Sequence, residues 1–510
     1  MSTPAPAACP YHAMLAAGGP AAAAVPPSSP RGKGSGGPVT AGSTLPVTRG
    51  DLREFPADPA GCMMRLHREH GPLAQLRGDD GMALTFAFDP EHNRTVLSDG
   101  KRFHSKFFAV RGSRKSAQRR VTSGLLTMNG RDHKRHRRMV MEPFAKKVIP
   151  QYHEALSGLT GELLDGWTAG ETVDVHAEMN AYMRKLTSAI LFGLDDPELA
   201  YSTGEKIDRW VHLNHETGMG AMVSDETYLG HYDRLLALAE DLEGDVRAMV
   251  EARRGRPPGR DVLSILIDAA ERDGDGGITD MELVGHVTLL FGAAHLTTAH
   301  SLTWTLFLLA QHPDIARAVA AEVDAGVAGD LVAPGEADAL PLFDRVLKES
   351  QRILPASGYS QRVTAEPVSL GPLDLPAGSP VIFTPYVTHR LPDLYPDPDR
   401  FLPDRWLDLK PPSYSYIPFG GGPRLCLGSL LATTVLKTAI PSVLKRFRVS
   451  VEAGARVDAK IISTMFGPTT PVPMELHPAD GAWERRPVSG DVCELVDLTP
   501  PAAPPLRVAA

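Results

Sequence analysis

One stretch of the chain carries residue types in a spacing that could do chemistry: Tyr416-Ile-Pro-Phe-Gly-Gly-Gly-Pro-Arg-Leu-Cys-Leu-Gly-Ser-Leu-Leu-Ala. Three glycines and a proline make a loop whose backbone can come close to a flat ligand. Cys426 follows at once, and a helical run begins near Gly428. A cysteine at a helix N-terminus faces the positive end of the dipole and unpaired amide hydrogens. Both favour the thiolate, the form that acts as nucleophile or metal ligand. Arg424 adds a cation two residues earlier. Without further context, a lone cysteine in such a turn is more often a small buried side chain than a ligand.

The elements that must position this loop are mostly helical. With 43% apolar and 22% charged residues over 510 positions, the chain belongs to the ordinary globular class and can bury a large core. A net charge of −8 argues against a dedicated nucleic-acid binder. Cys9, Cys62, Cys426 and Cys493 are too few and too scattered for a disulfide scaffold or a paired zinc site, which suits a reducing, cytoplasmic setting. Residues 152–166 and 232–253 space apolar residues three and four apart, as amphipathic helices do. Val368 to Gly378 and Val381-Ile-Phe look like short strands joined by Gly/Pro turns. From Leu283 to Gln311 there is no Asp, Glu, Lys or Arg, long enough to span a bilayer. Eight polar residues, from His286 to Thr303, would be costly in lipid, so a buried helix ending near Pro313 is expected, with no transmembrane segment.

At the ends the composition changes. Residues 1–45 hold 11 Ala, 8 Pro, 7 Gly and 8 Ser or Thr, with no acidic residue before Asp51. Such a segment has too little bulky apolar surface to offset its ordering entropy and reads as a disordered arm. An organelle transit peptide, equally poor in acids, also suits this composition. The ordered body is expected over 46–478, and 479–510 reads as a second polar tail.

Phe419, Gly422, Arg424, Cys426 and Gly428 together match F-x-x-G-x-R-x-C-x-G, and here the chain resembles the cytochrome P-450 family. The resemblance implies a mostly α fold with small β-sheets. Haem b would lie between a long central helix and the cysteine-loop helix, with Cys426 as the axial thiolate on iron. Phe419 would pack beside the sulfur, amides after Cys426 would donate to it, and Arg424 would face a propionate. Glu349-Ser-Gln-Arg352 matches the family's E-x-x-R motif, and Arg405 in Phe401-Leu-Pro-Asp-Arg-Trp would complete a structural charge network. His133 and Arg137, four apart on an expected helix 130–144, and Arg362 fall where the family binds propionates. These motifs run in the family's order over about residues 47–478.

The centre of the uncharged helix, Ala293-Ala-His-Leu-Thr-Thr298, aligns with the family's A-G-x-(D/E)-T-T. The resemblance implies that Thr297, with Thr298, helps protonate bound oxygen, although a helical threonine can also bond its own backbone. Leu296 stands at the usual acidic position, and His295 points about 100° around the helix from it. Two readings follow: ordinary monooxygenation with O2, protons arriving through Thr297, Thr298 and water, or use of a peroxide or rearrangement of a hydroperoxide. A non-catalytic haem binder would need the thiolate loop but not Thr297. Substrate contacts are expected from Phe291, Ala294, His295, Ala356, Tyr359 and Phe466, around an apolar small molecule.

Within the expected body 46–478 there is no G-x-G-x-x-G, and the cysteines form no iron–sulfur pattern, so electrons are expected from a separate ferredoxin- or flavodoxin-type partner. Residues 111–147 hold 12 Arg or Lys against Asp132 and Glu142, either a docking patch or a solvated loop. His212, His215 and Glu216 have loosely metal-like spacing but read as a solvated helix face. The expected protein is a monomer that binds no nucleic acid.

Overall fold

The computed structural model describes residues 45–106, 110–223, 227–254, 259–272, 277–333 and 335–499, with no side chains given for 218–229. The expected N-terminal arm, apart from Leu45, therefore lies outside the described residues, as does 500–510. The helices that matter for the site are α1 (Gly130–Val140), α2 (Val175–Phe192), α3 (Pro197–Val223), α4 (Thr227–Arg253), α5 (Asp280–Gln311), α6 (Pro341–Ile353) and α7 (Ser429–Arg446). Pro143 stops the first of these early: α1 ends at Val140, and a separate turn of 3₁₀-helix covers Glu142–Phe144, where one helix to Phe144 had been expected.

α5 is the axis of the molecule. Its start is fixed by a capping box, with Thr279 Oγ1 accepting from the Glu282 amide and the Glu282 carboxylate accepting from the Thr279 amide. Leucine, valine and phenylalanine on all sides bury it, and α2, α3, α4, α6 and α7 pack around it. No described helix is long and apolar enough to cross a membrane.

Strands β1 (Val47–Arg49), β2 (Leu73–Arg77), β3 (Ala83–Ala87), β4 (Phe103–His104), β5 (Thr172–Asp174), β6 (Ser360–Thr364), β7 (Val368–Leu370), β8 (Leu373–Leu375), β9 (Pro380–Phe383), β10 (Phe447–Val451), β11 (Ala459–Ile462), β12 (Met465–Pro468) and β13 (Pro473–Pro478) form small sheets. Six of them make one sheet in the order β1-β2-β3-β9-β6-β4, and β10-β13-β5 make another. β6 runs antiparallel to β9 with Arg362 opposite Val381, which fixes the level at which Arg362 enters the core.

The C-terminal segment corrects an expectation. Residues 479–499 are not a free polar tail: Trp483, Val492, Val496 and Leu498 are buried in the main core. Gln311 Nε2 donates to the Arg486 carbonyl at 3.0 Å, and Arg390 Nη2 donates to that of Leu495 at 3.0 Å. Val492, Leu495 and Val496 stand three and four apart, and that apolar stripe outweighs the neighbouring prolines.

Candidate active site

The cysteine loop is built on left-handed glycines. Gly420 and Gly422 have φ of 70° and 65°, and a Cβ on Gly422 would collide with the Leu97 carbonyl. The Cys426 amide closes the loop on the Phe419 carbonyl at 3.0 Å. Burial pushes the Cys426 thiol up, while the Gly428 and Ser429 amides and the Arg137 charge pull the other way. The residue is solvent-accessible even though protein encloses the sulfur, as befits a group on the wall of a cleft. A cation bound to the sulfur would reverse the effect of burial and favour thiolate.

Cations converge near the loop. Burial, then repulsion from Arg424, Arg137 and Arg362, brings His133 down to about 4. Burial and Arg424 bring Arg362 down to about 10, and burial and Arg137 do the same to Arg424. Arg137 Nη2 donates to the Leu425 carbonyl at 2.6 Å, and Arg424 Nη2 donates to Met128 O at 2.5 Å and Asn129 Oδ1 at 2.6 Å. Among the described residues none of the four has a carboxylate partner. Three gathered guanidiniums without an acid, with His133 beside them, fit a dianionic ligand edge, as the two propionates of haem provide.

In the buried middle of α5, beside a partly accessible Gly292, one stripe of side chains stays accessible: Leu290, Ala293, Ala294 and Thr297. These positions are i, i+3, i+4 and i+7, a single helix face. Thr297 Oγ1 donates to the Ala293 carbonyl and Thr298 Oγ1 to that of Ala294, both at 2.9 Å. Each oxygen keeps its acceptor capacity. Small Ala293 and Ala294 leave room beside this face for a flat group. The thiol with its amide donors, the unpaired cations and the small-residue stripe together suit a haem.

The pocket expectation needs correction. Phe291 and His295 lie on the opposite side of α5: Phe291 stacks on Phe192 of α2 with centroids 5.8 Å apart, and His295 bonds Asp208 of α3 at 2.8 Å. Phe466 is fully packed, edge-on to Tyr386. Ala294, Ala356 and Tyr359 keep partial access. Leu290 and Ala293 were missed, although stepping back four and seven residues from Thr297 would have found them. The metal-like trio is also only partly a solvated face: His212 is exposed, but burial brings His215 down to about 4.

Behind the site, Glu349 and Arg352 on α6 are fully buried and joined through two contacts of 2.9 Å. Arg405 Nε and Trp406 Nε1 each donate to the Glu349 carboxylate at 2.9 Å, and the Leu402 amide donates at 3.0 Å. Trp406 was not anticipated. Arg352 spends its remaining donors on the carbonyls of His389, Pro398 and Arg400. Every charge in the network is paired, which burial requires.

A helical body is pierced by one long helix, with a cysteine at the entrance of a second. Residues 50–473 match the cytochrome P450 family, and the chain belongs to it. It is 30% identical to cyclooctatin synthase of Streptomyces melanosporofaciens over 86% of this chain and 94% of that protein. Identity is 28% to cyclooctat-9-en-7-ol 5-monooxygenase of the same organism, over 84% of this chain and 92% of that protein. Pentalenene oxygenase of Streptomyces avermitilis is also 28% identical, over 78% and 89%. Among solved structures, retinoic acid bound cyanobacterial CYP120A1 superposes with a TM-score of 0.70 at 22% identity, over 81% of this chain and 93% of that one, a likeness of fold. The chain is an oxidoreductase of the monooxygenase type.

Proposed function

We propose that this protein inserts one oxygen atom from O2 into an apolar, terpene-type small molecule, using haem b held by Cys426 and electrons from a separate protein. The observation that carries the reading is the Cys426 loop, with two amides on the sulfur and, among the described residues, three guanidiniums unpaired by carboxylate. The activities for which the relatives are named, a pentalenene oxygenase and a cyclooctat-9-en-7-ol 5-monooxygenase, support the substrate class.

Haem, when bound, supplies the oxygen chemistry, and a thiolate ligand favours O–O cleavage. Cys426 Sγ would hold the iron while the Gly428 and Ser429 amides share its charge. His133, Arg137, Arg362 and Arg424 would hold the two propionates. Leu290, Ala293 and Ala294 offer an apolar wall that excludes water and seats the substrate. Thr297 would turn its hydroxyl from the Ala293 carbonyl and hold a proton at Oγ1.

The test is spectroscopic. Reduced, CO-treated protein should absorb as a thiolate-ligated haem, and a panel of cyclic terpenes should include compounds that shift the ferric spin state. A spectrum without thiolate character would reject the reading. One observation favours a second reading: Leu296 leaves the oxygen-facing turn without an acid, which suits peroxide use. Turnover with a reductase system, against turnover with peroxide alone, separates the two.

The exposed cations of α1 support docking of an acidic ferredoxin or flavodoxin. Reversing charge at Arg135 and Arg138 should slow reduction by about ten-fold at low salt and leave the spin shift unchanged. Unchanged reduction across several donors would remove the docking role.

A further inference from the structure

Leu296 leaves the turn that carries Thr297 and Thr298 without a carboxylate, yet titratable groups lie near that turn on α2, α3 and α5 itself. His295 Nε2 lies 2.8 Å from Asp208 Oδ1, and its Nδ1 lies 3.0 Å from the Phe291 carbonyl. Both neighbours are acceptors. Asp208 also meets His212 at 3.5 Å and Arg184 of α2 at 3.4 Å. Burial works to raise the Asp208 carboxyl, but hydrogen bonds from His212 and His295 prevail and hold it well below the carboxylate range. Asp208 in turn raises His212, whose side chain is 58% exposed and forms the outer end of the group.

A second pair lies deeper. The rings of His176, on α2, and His300, on α5, have centroids 5.5 Å apart. In both, Nδ1 is buried and has no hydrogen-bond partner among the described residues. Two buried orphan nitrogens on neighbouring rings are what an ordered water satisfies. His300 follows Thr297 by three residues, on the same side of the helix. Its ring rests against Gly467 of β12, where any Cβ would collide with it. The two pairs sense each other electrostatically: His300 feels His176, His295 and His212, and His176 feels Asp174 and His212.

We propose that His176 and His300 conduct protons from solvent to Thr297, through a water held between their Nδ1 atoms, in place of the carboxylate absent at position 296. Asp208 supplies the fixed negative charge that draws protons inward. Each of these two imidazoles takes a proton on one nitrogen and releases one from the other, and the water does likewise. Every member ends as it began. The net transfer per pass is one proton from solvent to the Thr297 hydroxyl, and no electron moves. The inference rests on the monooxygenase reading.

The test uses haem-loaded protein with a reductase system and no added substrate, so that reduced oxygen leaves as peroxide or as water. In His176→Ala and His300→Gln, water formation should fall by about ten-fold, the peroxide share of donor consumed should rise, and the rate should respond differently to D2O. An unchanged peroxide share in variants with intact CO-bound spectra overturns the relay. A wild-type protein lacking thiolate absorption overturns the monooxygenase reading instead. A readout independent of turnover is ring-nitrogen NMR of the ferrous, CO-bound wild type, where Nδ1 of His176 and His300 should show contact with one bound water. Absence of that contact overturns the proposal, even if His300→Gln fails to take up haem.

Discussion

Cys426 shows how much a single position can carry. Its neighbours leave the thiol protonated without a metal and suit a thiolate with one. Cys426→Ala, expressed with haem supplied, should lack the thiolate-type CO-bound absorption, and an unaltered visible spectrum would contradict the ligand assignment. The buried histidines make a second prediction. His133 and His312 are brought down to about 4, and His286, His300 and His389 to about 3, chiefly by burial. In the unfolded chain each titrates near 6.5. The unfolded state then binds more protons between roughly pH 6.5 and pH 3, so stability of the haem-free protein should fall steadily on acidification through that window. Urea midpoints that stay flat from pH 7 to pH 5 would show that these rings are not buried neutral. Motif spacing made Cys426, Glu349 and Arg352 legible. The pocket residues were misread because nearness in sequence to Thr297 is not nearness on the helix surface: Phe291 and His295 share the far face.

At the scale of elements, α6 and the segment around Arg405 are held by one carboxylate that receives five hydrogen bonds from four residues. Removing a partner strands the rest in the core. Arg352→Ala should therefore cost about 3–5 kcal/mol in a denaturant melt, and Glu349→Gln a comparable amount. Losses under about 1 kcal/mol would mean that the network is no stronger than a surface pair. Burial raises the Glu349 carboxyl, but the Arg352 charge leads the contributions that bring it below its ordinary value. Its contribution is full above about pH 4.5 and is lost as pH falls through the folded value. The E-x-x-R spacing revealed the pair, but Trp406 as a donor was invisible, because nothing in a sequence says which way an indole nitrogen turns. The uncharged run from Leu283 to Gln311 revealed the length and buried character of α5. It gave no hint that Asp208, 87 residues upstream of His295, would meet it, since that contact depends on how α3 lies across α5.

Over the whole molecule, the sheets and helices were readable as a class, and the folded extent was not. A Pro-rich ending masked an apolar stripe that needs the rest of the fold to bury it. Truncation after Pro478 should destabilise the protein by about 5 kcal/mol or more, because Trp483, Val492, Val496 and Leu498 all leave the core. A truncated chain with an unshifted thermal midpoint would show that this packing adds little.

Synthesis runs from the N-terminus, so the ribosome delivers the stretch around Trp483 to Leu498 after the core that it covers. Until then the side chains of Gln311 and Arg390 lack their carbonyls from Arg486 and Leu495, and a strip of greasy surface stays uncovered. Completion of this fold thereby waits for that stretch, and the nascent chain carries an exposed, sticky flank until it emerges.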